Sequence, residues 1–198
     1  MRLILASTSA SRAAILEAAG VPFEARAPHV DEDELKRALR AEGCSARDQA
    51  DALAEAKAVK TSRNAGDALV LGGDQMLETD DGETLDKAPD MATLRTQLQS
   101  LRGRRHRLIS AIVIAEAGRA VWRQVDTATL NVRAFSDDWL DAYLAAEGNI
   151  LLWGVGGYRI EARGVQLFDR IIGDQFTIRG LPLLPLLAYL RTRGLIEA

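Results

Sequence analysis

The sequence predicts an α/β fold, on the border of α+β, with a mixed sheet and flanking helices. Three observations lead there. Apolar runs too short for helices, such as 3–6 and 68–71, are separated by stretches whose apolar residues recur at helical spacing. Two long β-rich stretches, 106–116 and 120–132, meet at Glu116-Ala117-Gly118 and read as an antiparallel hairpin. Helices and strands interleave along the whole chain instead of segregating.

Taken in order, Leu3 to Ala6 is a short buried strand, and Ala14, Ile15 and Ala18 place a helix over 10–19 that stops at Gly20. A weak second strand is expected over 23–27. Asp31 and Glu34 stand three apart, as a helix N-cap and its capping box do, and begin a helix over about 31–41. Ser45 caps an Ala-rich helix that runs through Leu53, Lys57 and Val59 to the neighbourhood of Asn64-Ala65-Gly66. The run Ala68-Leu69-Val70-Leu71 is a buried strand bounded by Gly72-Gly73, with Asp74 just past its end.

Asp80-Asp81-Gly82 signals a hairpin turn, and Met91 to Leu101 is helical, with Gly103 after it. Beyond the long hairpin, Ser136 caps a helix through Trp139, Leu140 and Tyr143 to Gly148. A glycine-rich loop follows (Gly154, Gly156, Gly157), then a strand near 175–179. The last helix spans 182–193, opened by Pro182 in its first turn.

No repeat, low-complexity tract or linker divides the 198 residues, so residues 1–198 are expected to form one domain. Hydrophobic residues make up 47% and charged residues 27%, an ordinary globular balance. No window approaches the roughly 20 uncharged apolar residues of a membrane span. The apolar run after Met1 turns polar at Ser7, short of the ~7–15 residues of a signal-peptide core, so a cytoplasmic location is expected. A single cysteine, Cys44, excludes an internal disulfide and a multi-cysteine zinc site. A net charge of −3 without a basic block argues against a protein that grips a nucleic-acid backbone, but leaves small anionic ligands open.

Four features could carry chemistry. Ser7-Thr8-Ser9-Ala10-Ser11-Arg12 lies between a strand end and a helix start, where backbone N–H groups, hydroxyls and a guanidinium can cradle a phosphate. A serine-rich turn alone more often only caps the helix, through Ser9 or Ser11. Arg12, however, opposes the helix dipole in the first turn unless an anion answers it. The acidic run Asp31-Glu32-Asp33-Glu34 offers hard oxygens to Mg²⁺ or Mn²⁺, though alone it reads as a solvated helix start. Asp74, beside a buried strand, sits where α/β sheets place ligands.

The fourth feature is the choice of cations: 21 arginines against four lysines, at 36, 57, 60 and 87. Lysine is a compact point charge suited to phosphate oxygens, which singles out Lys57 and Lys87. Two apparent motifs fail. Gly154-Val155-Gly156-Gly157 lacks the third glycine of a dinucleotide fingerprint, since position 159 is Arg. His29 and His106 have no nucleophile or acid at recognisable spacing.

Read together, the chain resembles the Maf family of nucleotide pyrophosphatases. The matching stretches are Leu-Ile-Leu-Ala-Ser-Thr-Ser-Ala-Ser-Arg (3–12), Val-Asp-Glu (30–32), Ala-Glu-Ala-Lys-Ala (54–58), Gly-Gly-Asp-Gln (72–75), Asp-Lys-Ala-Pro (86–89), Leu-Arg-Gly-Arg-Arg-His (101–106) and Gly-Leu-Pro-Leu (180–183). The resemblance implies a two-lobed α/β fold around a long mixed sheet, a central nucleotide cleft and a homodimer. It also implies hydrolysis of nucleoside triphosphates to a monophosphate and pyrophosphate. By motif, Ser7, Ser9 and Arg12 would hold phosphates. Glu32 and Asp74 would hold Mg²⁺ or Mn²⁺ and activate water, and Lys57 and Lys87 would neutralise the triphosphate.

Two segments depart from the family pattern. Trp153-Gly154-Val155 stands where Asp-Lys-Ala commonly precedes Gly-x-Tyr, and Ile160-Glu161-Ala162 stands where Ile-Gln-Gly is frequent. With Asp-Gln at 74–75 and Ala-Pro-x-Val-Asp-Glu at 27–32, Glu161 looks more like the branch acting on 7-methyl-GTP. A carboxylate there can accept from the donor edge of guanine and would repel the carbonyls of thymine or uracil. Arg159 and Arg163 could instead neutralise it. Competing readings are a nucleotide-binding regulator of division without turnover, and a phosphomonoesterase.

Overall fold

The computed structural model describes residues 2–197; Met1 and Ala198, the ends of the expected 1–198 domain, lie outside the described residues. β1 (Leu3–Ala6) is buried at every position. α1 (Ala10–Ala18) begins at Ser9, whose hydroxyl accepts from the Arg12 N–H. It ends before Gly20, which takes the left-handed conformation at φ 66°. β2 (Glu24–Arg26) is an edge strand shorter than the 23–27 expected, and it pairs only with β1.

α2 (Glu32–Ala41) is capped by Asp31, which accepts from the Glu34 N–H at 2.9 Å. α3 (Ala46–Ser62) is capped in the same way by Ser45. Both caps satisfy N–H groups that a helix start otherwise leaves without partners.

β3 (Leu69–Thr79) corrects the expected end at Gly72-Gly73. The strand runs straight through both glycines, so Asp74 lies in its middle and not past its end. The glycines serve close approach. A Cβ at Gly72 would collide with the backbone of α3 at Ala54 and Ala58, and one at Gly73 would come 3.0 Å from Arg12 Nε. Successive residues face opposite sides of a strand, so the pair makes room on both faces at once.

The turn expected at 80–82 joins β3 to β4 (Thr84–Leu85). α4 (Met91–Leu101), the long antiparallel pair β5 (Arg105–Glu116) and β6 (Arg119–Val132), and α5 (Asp137–Glu147) fall where expected. Two 3₁₀ segments, Gly148–Trp153 and Arg163–Leu167, flank the glycine-rich loop. They lead to β7 (Phe168–Ile172), the short helix α6 (Gln175–Ile178) and α7 (Leu183–Thr192).

The strand expected near 175–179 is thus a helix. Asp174 accepts from the Phe176 N–H at 2.5 Å and caps a helical turn, overriding the alternation of Gln175-Phe176-Thr177-Ile178. The strand lies earlier, at 168–172, where charged Asp169 and Arg170 hide the pattern and pairing with β6 supplies the order.

The sheet has seven strands in the order β2-β1-β3-β5-β6-β7, with β4 on β3. β1 is parallel to β2 and β3, and the other pairings are antiparallel, which makes the sheet mixed. One face carries two cores. Leu69, Leu71, Ile112 and Ile114 pack with α1 and α7, whereas Leu77, Leu108 and Leu130 pack with α4 and α5. Between them on β3 stand Gly73 and Gln75, and this interruption makes the fold two-lobed. On the opposite face α3 lies along β3 and β5 through Leu53, Ala54 and Ala58.

Candidate active site

The site forms at a gap along the edge of β3. β1 pairs with β3 from Leu69 to Gly72, ending at Ala6, and β4 begins pairing at Leu77. Residues 73–76 therefore have no strand on that side. Chain leaving β1 must turn away here, and α1 begins beside the open edge, as expected where α/β sheets bind ligands.

Asp74 is buried, on the face that meets α3. Lys57, one face of α3 further along, sends Nζ to Asp74 Oδ1 at 2.7 Å and to Glu32 Oε2 at 2.9 Å. The Lys57 and Asp74 side chains are only 6% and 8% exposed, while that of Glu32 is 41% exposed. Asp74 Oδ2 is buried and has no hydrogen-bond partner. A buried carboxylate oxygen without a partner is costly, and a site tuned only for stability would have satisfied it.

Arg12 reaches the same gap from the other face, lying over Gly73. Its Nε donates to Gly180 O at 2.8 Å and its Nη1 to Ser7 Oγ at 3.2 Å. Burial holds its guanidinium below the ordinary arginine range, and Asp74 and then Glu32 counter that effect. Ser7 Oγ also accepts from the Ser9 N–H at 3.1 Å. Both serine oxygens are used as acceptors, so each hydroxyl hydrogen is free to donate to an incoming oxygen.

Lys87 follows β4 at the rim of the gap and is exposed. Its ammonium is held below the usual lysine range by desolvation, then by the charge of Arg12, with Glu32 acting in the opposite sense. Asp86 fixes this segment to α2, accepting from Lys36 at 2.9 Å and Arg40 at 2.8 Å.

Residues 12, 32, 57, 74 and 87 therefore gather at the open edge of β3, each within reach of the charge of others in the set, with Ser7 and Ser9 beside Arg12. Glu161 stands apart from that charge cluster. Its carboxylate is 3.8 Å from Arg179, whose backbone carbonyl accepts from Ser11 Oγ at 3.0 Å. Arg159 makes its ion pair with Glu147, at 2.9 Å, and feels Glu161 only through its charge. His106, wholly buried, lies 2.6 Å from Tyr158 OH and packs on Phe168 away from the crevice.

Ser110 and Thr177, which hold α6 to the sheet together with the motif residue Gln75, have no part in the sequence reading of the site. Gln75 Nε2 donates to Ser110 Oγ, Thr177 O and Ile178 O, at 2.9, 3.1 and 3.0 Å. Ser110 Oγ donates to Thr177 O at 2.7 Å. These bonds hold the α6 turn, and with it Arg179 and Gly180, against the sheet beside Arg12. A lone serine inside the apolar run 108–115 was the available signal for Ser110.

Among the described residues, no three His, Cys, Asp or Glu side chains gather as a metal cage. The donors present are the Asp74 and Glu32 carboxylates. The unpartnered Asp74 Oδ2 suits a hard cation of the Mg²⁺ type, which takes one or two carboxylates and completes its shell with water or phosphate oxygens.

A family model described as Maf-like protein matches residues 2–193. A nucleoside triphosphate pyrophosphatase of Caulobacter vibrioides is 53% identical over 190 residues, 96% of this chain and 94% of that one. One of the same name from Granulibacter bethesdensis is 50% identical over 191 residues, 96% of each chain. A 7-methyl-GTP pyrophosphatase of Rhizobium meliloti is 49% identical over 196 residues, 99% of this chain and 98% of that one. With the motifs gathered at one crevice and the match running almost end to end, the chain belongs to the family of Maf-like proteins.

Proposed function

We propose that this protein is a hydrolase acting on acid anhydrides: it cleaves nucleoside triphosphates to a monophosphate and pyrophosphate with the help of Mg²⁺ or Mn²⁺. The observation that carries this reading is the meeting of Arg12, Lys57 and Lys87 with Asp74 and Glu32 at the open edge of β3. Three cations suit a polyphosphate chain, and two carboxylates among them suit a divalent cation and a water molecule.

In this reading the hydroxyls of Ser7 and Ser9 donate to phosphate oxygens, and the guanidinium of Arg12, braced by Gly180, holds one phosphate in register. Glu32 and Asp74 hold the cation, which when bound withdraws charge from the phosphate oxygens and makes water more acidic. The Asp74 carboxylate, through the oxygen not turned to the cation, takes the proton of the water that attacks the α-phosphorus, the bond to the bridging oxygen breaks, and pyrophosphate leaves. Lys57 and Lys87 offset the negative charge that builds on the departing oxygens.

Glu161 favours a second, narrower reading in which the base is 7-methylguanine. Its carboxylate can accept from the N–H groups of guanine, and its contact with Arg179, at 3.8 Å, is loose enough to leave oxygens for that role. The same domain, residues 1–198, would act as a cytoplasmic homodimer, with no nucleic-acid or membrane partner. The match to one family model over residues 2–193 supports the single domain. No helix among the described residues is long and apolar enough to cross a membrane.

The test is a nucleotide panel that includes dTTP, UTP, GTP and 7-methyl-GTP, with Mg²⁺ or Mn²⁺, in which pyrophosphate and phosphate are assayed separately. Pyrophosphate is expected. Phosphate alone would make the protein a phosphomonoesterase, and binding without product would make it a nucleotide-binding regulator of division.

A further inference from the structure

Lys57 cannot do both of the things its position suggests at the same moment. Its ammonium group stands between Asp74 Oδ1, at 2.7 Å, and Glu32 Oε2, at 2.9 Å, the two carboxylates suited to the divalent cation. An ammonium seated between these carboxylates and a dication drawn to them, through the unpartnered Asp74 Oδ2 and through Glu32, repel each other at close range and compete for the same negative charge. For the phosphates to receive Lys57, those carboxylates must first let it go.

We propose that Lys57 is a resident counter-cation that occupies the carboxylate pair until nucleotide arrives, so that binding of the divalent cation is conditional on nucleotide. This rests on the reading that Glu32 and Asp74 hold that cation. The surroundings of the ammonium explain the conditionality. Its side chain is 6% exposed on a helix face where Ala54 and Ala58 are wholly buried against the sheet, so bulk water is a poor alternative partner. The other charged groups of the crevice are Arg12 and Lys87, which repel it.

A cation that displaced Lys57 in the empty crevice would leave an ammonium desolvated and unpaired, which is strongly unfavourable. A triphosphate changes the balance because its oxygens give the released ammonium a partner. Nucleotide then raises affinity for the cation, and the cation raises affinity for nucleotide by the same factor. Without Lys57, the buried Asp74 carboxylate and the half-exposed Glu32 beside it would be a pair of like charges in need of any cation. Lys57 meets that need in the resting protein and withholds the site from free Mg²⁺.

The experiment is a calorimetric titration of Mn²⁺ into nucleotide-free protein, for wild type, Lys57→Met and Lys57→Gln. Methionine keeps the apolar stem, and glutamine keeps a donor for Asp74 Oδ1, so folding is checked by circular dichroism on two differently disturbed chains. The neutral variants are expected to bind one Mn²⁺ more tightly than wild type by about 10-fold or more, within the usual range of coupling between sites. Adding Asp74→Asn to Lys57→Met should abolish the gain. Equal or weaker Mn²⁺ binding by the neutral variants overturns the proposal.

Wild type supplies a further arm: Mn²⁺ affinity unchanged by saturating α,β-methylene GTP also overturns it. Because phosphates can ligate the cation directly, a rise in that arm supports the proposal only together with the nucleotide-free variants. Failure of the catalytic reading is separately visible. No pyrophosphate from any nucleotide would refute that reading and leave the Mn²⁺ affinities standing, whereas pyrophosphate release with unchanged Mn²⁺ binding in the variants would do the reverse.

Discussion

Arg12 lies across Gly73: a Cβ at position 73 would come 3.0 Å from Arg12 Nε. At Gly72 the same atom would strike the backbone of α3 instead. The two neighbouring glycines thus predict different phenotypes. Gly72→Ala should lower stability by about 1–3 kcal/mol, because a helix backbone must move to relieve the overpacking. Gly73→Ala presses on the Arg12 side chain and not on a backbone, so it should lower the melting temperature less than Gly72→Ala while raising KM for nucleotide. Thermal melts and steady-state kinetics on the two variants check this, and equal effects on both quantities would contradict it.

Asp74→Asn keeps the side-chain shape but removes the base. Turnover should fall by about 10² to 10⁴, with the circular dichroism spectrum retained. Near-normal pyrophosphate release by a folded variant would take Asp74 out of the mechanism.

Asp86 fastens the Lys87 segment to α2, which carries Glu32, through Lys36 and Arg40. These side chains are partly exposed, so the pairs contribute little to stability, about 0–1 kcal/mol. Asp86→Ala should therefore raise KM well before it alters the melting temperature. A large drop in melting temperature at unchanged KM would show that the contact is structural only.

His106 is buried against Tyr158 and Phe168, and desolvation lowers its pKa from 6.5 to about 4. Its folded pKa lies below the unfolded one, so the unfolded chain binds the extra proton first. The stabilising contribution is complete above pH 6.5 and is lost as pH falls towards 4, on the order of 3 kcal/mol in all. Urea unfolding across this window should show stability falling with acidity. His106→Gln, lacking the titrating ring, should show a shallower slope, and parallel slopes would mean that other groups govern the acid response.

Helix starts were legible because they are local. Ser9, Asp31, Ser45 and Ser136 each cap the helix that follows, and a cap needs only its own next three residues. The β5–β6 hairpin was legible for the same reason, its strands being long and adjacent. The segment 175–178 was misread because alternating residues look extended until a capping aspartate intervenes, and β7 was hidden because an edge strand takes its order from a neighbour distant in sequence.

By itself the sequence determined the interleaved elements, the two-glycine stretch and the set of residues with the charge and hardness to meet phosphates and a cation. The elements follow from local periodicity and capping; side-chain chemistry offers the candidates, and the resemblance to the Maf family picks Ser7, Glu32 and the rest from among them. Only the tertiary structure decided that β3 continues through Gly72 and Gly73 while β1 stops beside them, which opens a gap where Arg12 arrives over one face and Lys57 meets Asp74 on the other. Paired residues of β1 and β3 stand 66 positions apart, Arg12 and Gly73 61, and Lys57 and Asp74 17, all beyond the few residues over which periodicity and capping act.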